Sequence, residues 1–211
     1  MDRLFLNAGV MALPPGLTEQ GYEIQFGTNH LGHALLTKLL LPTLLKTAEG
    51  DGGKKEDVRV ITLSSAGHAP SFGISFDKLK TSMDSLATPT FSRYAQSKLA
   101  NVLFAKELAR RYPTITSVAL HPGVVKTELW ASTIKWWGIG KLVTLVRDSI
   151  YTSVQDGAKG QLWAGTAAGV KSGQYYAPVG VTGQETRVAC NMELSKKLWD
   201  WTDKELENYT L

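Results

Sequence analysis

Four short apolar runs, set apart by long stretches of helical periodicity, constrain this chain more than any other feature. The runs are Leu4-Phe5-Leu6-Asn7-Ala8, which ends in a turn at Gly9, Val58-Arg59-Val60-Ile61-Thr62-Leu63, which runs into Ser64-Ser65, Thr116 to Leu120, closed by His121-Pro122-Gly123, and Gly173 to Tyr176. Each reads as a buried strand. Helices are expected from about Glu19 to about Thr47, from about Thr90 to Arg111, around Val154 to Ala167, and from Met192 to Glu207. Leu31, Leu35, Leu39 and Leu40 set the helical spacing of the first of these. Pro42 is expected to kink that helix or open a new turn, and Pro113 to stop the second. Strands alternating with helices predict an α/β fold with a parallel sheet and flanking helices.

Because parallel crossovers are right-handed, a Rossmann-like winding is the simplest solution. A length of 211 residues suits one domain with a real core. The chain is 43% hydrophobic and 20% charged, as a soluble globular protein is. Its net charge of +4 is too small, and Lys54-Lys55 too short, to read as a nucleic-acid surface. Glu49 to Asp57 reads as a polar surface loop. Cys190 is the single cysteine, so no internal disulfide forms, which fits a reducing compartment. No apolar run approaches the ~20 residues of a membrane span, and Leu4-Phe5-Leu6 is too short for a signal sequence. A cytoplasmic location is expected.

Tyr94 and Lys98 lie four residues apart, which stacks a phenol and an ammonium on one helical face. A positive charge there is expected to lower the tyrosine pKa, so that Tyr94 passes a proton to or from a substrate oxygen. In a parallel α/β sheet, ligands gather at the carboxyl ends of the strands. Asn7, Ser65 and His121-Pro122-Gly123 all fall at such ends, so hydroxyl, phenol and ammonium groups are able to converge. His30 and His33 are expected to pack rather than bind zinc, and no metal site is expected. His121 is expected to be structural, and His68 is a candidate to face the substrate loop. Trp130, Ile134, Trp136, Trp137, Ile139 and Leu142 form an apolar, aromatic stretch that suits either a lipophilic ligand or packing on the sheet edge.

The chain resembles the short-chain dehydrogenase/reductases. The resemblance rests on Asn7-Ala8-Gly9, Thr28-Asn29-His30-Leu31-Gly32-His33, Ser64-Ser65-Ala66-Gly67, Tyr94-Ala95-Gln96-Ser97-Lys98 and His121-Pro122-Gly123-Val124-Val125-Lys126-Thr127, in that order. Ser97-Lys98-Leu99-Ala100-Asn101 and Leu120-His121-Pro122-Gly123 are similar to the retinol-dehydrogenase and WW-domain-oxidoreductase branch. It implies NAD(P)-dependent alcohol/carbonyl interconversion on a lipophilic small molecule, with NADP slightly favoured over NAD. Tyr94 would be the acid/base, and Lys98 would lower its pKa and bind the nicotinamide ribose. Ser65, with Ser64 as the neighbouring alternative, would hydrogen-bond the substrate oxygen. Asn29 would hold a relay water. Asn7, Ala8 and Gly9 would line the adenine-side ribose, and Pro122, Gly123 and Thr127 would close over the nicotinamide. The family's long helices, here around Glu19–Thr47 and Thr90–Arg111, imply a homo-oligomer.

The resemblance also implies a missing part. The family's glycine-rich phosphate turn, and the strand that selects NAD or NADP, have no counterpart here. The whole of 1–211 therefore reads as a single truncated domain that lacks the family's N-terminal strands 1–3. Leu4-Phe5-Leu6 would be an uncovered edge that invites association. Cofactor binding by this chain alone is expected to be weak or undetectable. Two rival readings accompany the oxidoreductase: a non-redox member acting as an interaction subunit, and a cofactor-independent isomerase or lyase using Tyr94.

Overall fold

The computed structural model describes residues 1–50, 55–84, 89–123, 125 and 152–210. Thr127 and the stretch from Trp130 to Leu142 lie outside the described residues. Strands β1 (Arg3–Leu6), β2 (Arg59–Leu63), β3 (Thr116–Leu120) and β4 (Tyr175–Tyr176) form one parallel sheet in the order β1-β2-β3-β4. The register places Leu4 beside Val60, Val60 beside Ser117, and Leu120 beside Tyr176. All carboxyl ends therefore open on one side. Every residue of β2 is buried, as a central parallel strand covered on both faces must be.

The helices are α1 (Gly32–Glu49), α2 (Pro89–Arg111), α3 (Val154–Thr166) and α4 (Met192–Glu205). Alternation along the strands splits the core. Leu4, Leu6, Val60 and Ala119 join the larger apolar cluster, with Leu99, Leu103 and Leu108 of α2. Ile61, Val118 and Leu120 join Ala164 of α3 on the opposite face. Burying such a side chain contributes ~1.5–3 kcal/mol, so β2, β3 and β4 are held from both sides. Arg59 fixes α3 at its end, donating to the carbonyls of Ala164 (2.9 Å) and Ala167 (2.8 Å).

The first helical region differs from the sequence expectation. Residues 18–23 form a turn closed by the amide of Gly21 on the carbonyl of Thr18 (2.9 Å), and Gly21 has a φ of +82°. Helix begins only at Ile24, capped by the Glu23 carboxylate accepting from the amide of Phe26 (2.7 Å). A single α turn, Ile24–Phe26, leads into a π turn, Gly27–Leu31, and then into α1, which runs through Pro42 to Glu49. β1 ends at Leu6 rather than Ala8, which frees Asn7-Ala8-Gly9 as loop. Only Tyr175–Tyr176 of the expected fourth strand pairs. β1 is the outer strand of the described sheet, yet it is not wholly uncovered. Leu4 and Leu6 are buried, whereas Phe5 is 40% exposed.

Candidate active site

The carboxyl ends of β1, β2 and β3 frame a cleft of about 760 Å³. Asn7, Ala8 and Gly9 line it from the loop after β1, and Ser64 and Ser65 from the end of β2. Tyr94 and Lys98 reach it from α2, and Pro122 and Gly123 from the turn after β3. The structure thus brings together the sequence-predicted residues that it describes, except Asn29.

Tyr94 and Lys98 occupy successive turns of α2, with the ammonium 5.8 Å from the phenol ring centroid. Met11 and Ala12 pack on the tyrosine. That loop is held by polar contacts. The Arg93 guanidinium donates to the carbonyls of Leu13 (2.8 Å) and Ser82 (3.2 Å) and lies 3.6 Å from the buried Glu23 carboxylate. Gln25 accepts from the amide of Ala12 (2.9 Å) and donates to the carbonyl of Thr90 (2.9 Å). The Tyr94 phenol is therefore set from both its helix and its facing loop.

The electrostatics correct one expectation. Burial pushes the Tyr94 phenol above its ordinary value, and a hydrogen bond with Ser65 draws it part of the way back. Lys98 is itself buried, and its desolvated ammonium is brought down to about 8. Among the described residues the Lys98 ammonium makes one hydrogen bond, to the carbonyl of Leu63 at 3.2 Å. Its remaining N–H groups are left for a ligand in the cleft.

The two serines separate clearly. Ser64 is buried and donates to the carbonyl of Lys98 (2.7 Å), which ties β2 to α2. Ser65 accepts from the amide of Gly67 (3.0 Å) and keeps its own proton for Tyr94 or a substrate oxygen. Successive residues at a strand end turn to opposite faces, so the two hydroxyls meet different partners.

Asn29 sits in the π turn and is fully buried. Its side-chain oxygen accepts from the amide of Val10 (2.7 Å), and its amide donates to the carbonyl of Val10 (2.9 Å) and the hydroxyl of Ser97 (2.9 Å). Both amide hydrogens are thus engaged, and the side chain is a strut for the loop after Gly9. A Cβ at Gly9 would lie 2.9 Å from the Asn29 oxygen and 3.4 Å from the Lys98 nitrogen. Glycine is what allows strut, loop and ammonium to meet.

The histidines divide by surroundings. His30 is buried between the rings of Phe26 and Phe104, with Nε2 3.0 Å from the Thr202 hydroxyl. Burial lowers its pKa to about 3. His33 is lowered to about 4, by burial and then by the charge of Lys98. His121 lines the cleft and is lowered by burial and by His68. His68 is buried behind Ser65.

Sequence reasoning missed the far wall, which Val154, Gly157, Ala158 and Gln161 of α3 supply. The signal was the run of small residues there. A Cβ at Gly157 would strike Val125 of the turn after β3. No group of His, Cys, Asp and Glu suited to a metal ion occurs among the described residues. Nor, among them, is any helix long and apolar enough to cross a membrane.

No protein-family model matches the chain. Curated proteins do. It is 36% identical to the short-chain dehydrogenase/reductase drtF of Aspergillus calidoustus, over 97% of this chain and 68% of that protein. It is 38% identical to a short-chain dehydrogenase/reductase of Armillaria gallica, over 98% of this chain and 65% of that protein. Human retinol dehydrogenase 13 is 48% identical over 61% of this chain and 36% of its own length. The chain therefore spans about two thirds of the full-length curated relatives it matches. Among solved structures, an uncharacterized protein of Mycobacterium paratuberculosis superposes with a TM-score of 0.70 at 29% identity, covering 98% of this chain and 67% of that one. The NADPH-bound carbonyl reductase of chicken fatty liver gives 0.59 at 25% identity, covering 87% and 65%.

Proposed function

The chain belongs to the short-chain dehydrogenase/reductase family, and from that membership we propose that its cleft carries out NAD(P)-dependent interconversion of an alcohol and its carbonyl, on a lipophilic small molecule. The observation that carries this reading is the convergence of Tyr94, Ser65 and Lys98 on one cleft at the carboxyl ends of the strands.

The residues fit a nicotinamide cofactor. A cleft of about 760 Å³ is of ligand size, Gly9 leaves its floor open, and Lys98 has hydrogens to donate. Lys98 and Tyr94 would hold the nicotinamide ribose, Asn7, Ala8 and Gly9 the adenine-side ribose, and Pro122, Gly123 and Thr127 the nicotinamide. The cofactor, with NADP put ahead of NAD, supplies the hydride chemistry when bound. Met11, Val125 and Val154 give the cleft apolar walls, which suits a lipophilic substrate.

The proton chemistry belongs to the chain. Ser65 takes the Gly67 amide on its oxygen, which leaves its hydroxyl hydrogen, in the cleft shared with Tyr94, to donate to a substrate oxygen when one binds. Tyr94, held above the ordinary phenol value, is protonated at neutral pH and gives its proton to that oxygen in the reductive direction. In the oxidative direction the same phenol oxygen receives it. Lys98, beside the phenol, favours the phenolate as it forms. The sequence contains no glycine-rich phosphate turn, so cofactor affinity of this 211-residue chain is expected to be weak, and a titration showing tight binding contradicts that.

Tyr94→Phe tests the assignment. It removes the transferable proton and leaves the ring packing on Met11 and Ala12, so turnover of a carbonyl substrate falls ~10²–10⁴-fold with the thermal midpoint little changed. Unchanged turnover would remove Tyr94 from the chemistry.

A further inference from the structure

We infer that His68 is a positioning residue for Ser65: a backbone amide from a distant segment selects its tautomer, and the ring hydrogen so placed fixes the turn that presents the Ser65 hydroxyl. The inference deepens the function proposed above and rests on its assignment of Ser65.

The His68 ring is 1% exposed, and its two nitrogens have different partners. Nε2 lies 3.3 Å from the amide nitrogen of Thr186, which can only donate. Nε2 must therefore accept, and in the neutral ring Nδ1 must carry the hydrogen. Nδ1 lies 2.6 Å from the carbonyl oxygen of Ser65, which can only accept. The two contacts fit one tautomer and exclude the other.

What the ring hydrogen does follows from the turn it closes. The carbonyl of Ser65 also accepts the backbone amide of His68, at 3.1 Å. Two donors on one oxygen lock the 3₁₀ turn Ala66–His68. That turn aims the amide of Gly67 at the Ser65 hydroxyl oxygen. The hydroxyl is thereby anchored through its acceptor side, and its hydrogen remains for Tyr94.

The far end of the contact keeps the registry. Thr186 follows Glu185, whose carboxylate pairs with Lys106 of α2 at 3.0 Å. α2 is also the helix that carries Tyr94 and Lys98. His68 therefore refers the position of Ser65 to the same helix that sets its two catalytic partners. The ring of Tyr175 meets the imidazole edge-on, with centroids 5.1 Å apart, and fixes its plane. A histidine that only filled space would need neither contact.

Two amide substitutions separate the ring's two ends. His68→Asn places an amide donor where Nδ1 was, so it keeps the hydrogen bond to Ser65. His68→Gln places its amide where Nε2 was, and leaves the Ser65 carbonyl without its side-chain donor. The readout is the Cζ resonance of Tyr94 in protein made with ¹³C-labelled tyrosine, assigned by its loss in Tyr94→Phe. This needs no turnover. Ser65→Ala sets the scale, because it removes the hydroxyl from Tyr94. The expected result is that His68→Gln moves the resonance at least half as far as Ser65→Ala, in the same direction, while His68→Asn leaves it in place. In wild-type protein, ¹⁵N spectra of the imidazole should show hydrogen on Nδ1 and none on Nε2. A hydrogen on Nε2 overturns the inference whether or not the variants fold. So does a Tyr94 resonance unmoved by His68→Gln but moved by Ser65→Ala, which leaves the proposed function standing. No shift in Ser65→Ala overturns the role of Ser65, and this inference with it.

Discussion

Gly9 and Lys98 show how tightly single residues are committed at the cleft. A methyl at Gly9 must displace the Asn29 side chain, which is gripped by Val10 and Ser97 and cannot swing away. Gly9→Ala is expected to cost ~1–3 kcal/mol, as overpacking does, read from the denaturant midpoint. Lys98 makes a prediction in pH. Its folded pKa of about 8 lies below the unfolded value of 10.5, so between those values the unfolded chain holds a proton that the folded chain has lost. Stability from this group therefore rises with pH across that window, by ~3 kcal/mol at most, and is withheld below pH 8. The difference in unfolding free energy between wild type and Lys98→Met, followed from pH 8 to 10, should grow by a comparable amount. Tyr94, Lys98 and Ser65 were legible in the sequence because helical and strand spacing place them without reference to the rest of the chain. The strut role of Asn29 was not, because it depends on where Val10 and Ser97 arrive from distant segments. The Tyr94 phenol was misjudged for the same reason. Burial is a property of the packed molecule, and here it outweighs the hydrogen bond with Ser65.

Among the elements, the π turn Gly27–Leu31 has the most to lose, since it carries Asn29 and is pinned by α4. The pin is the contact of His30 with Thr202, aided by Lys38 donating to the carbonyl of Leu206 (2.7 Å) and Tyr22 donating to Glu205 (2.7 Å). Thr202→Val leaves a buried ring nitrogen unpaired and is expected to cost ~1–3 kcal/mol in chemical denaturation. His30 and His33 are buried with pKa values of about 3 and about 4 against 6.5 unfolded. As pH falls below 6.5 the unfolded chain takes up protons that the folded chain refuses. Stability is then lost between pH 6.5 and about 3, and His30→Gln should make that loss shallower in a series of thermal midpoints. The strands and helices were readable to within a few residues because their periodicity is local. The first helix was placed too early because its apolar spacing runs back past Gly21, where the backbone turn forbids helix.

At the scale of the whole molecule, the described sheet ends in β1, whose outer side has no partner strand among the described residues. Phe5 on that strand is 40% exposed, and Leu162 of the neighbouring α3 is more open, at 60%. Exposed strand edges with apolar flanks pair with other chains. The 23.0 kDa chain is therefore expected to scatter light as a larger species, with Phe5→Lys shifting it toward the monomer. A monodisperse wild-type monomer contradicts this. The α/β class and the layering followed from the alternation of runs and helices. The far wall of the cleft did not, since α3 reaches it only once the sheet is folded. The central claim is that the cleft of Tyr94, Ser65 and Lys98 performs alcohol/carbonyl interconversion with a nicotinamide cofactor. Its most direct test is mass spectrometry of the alcohol formed from a lipophilic carbonyl compound and reduced cofactor deuterated at the transferring position. The account predicts one deuterium on the carbinol carbon with wild-type protein and almost none with Tyr94→Phe. An alcohol free of deuterium, no alcohol at saturating cofactor, or equal incorporation by Tyr94→Phe would contradict it.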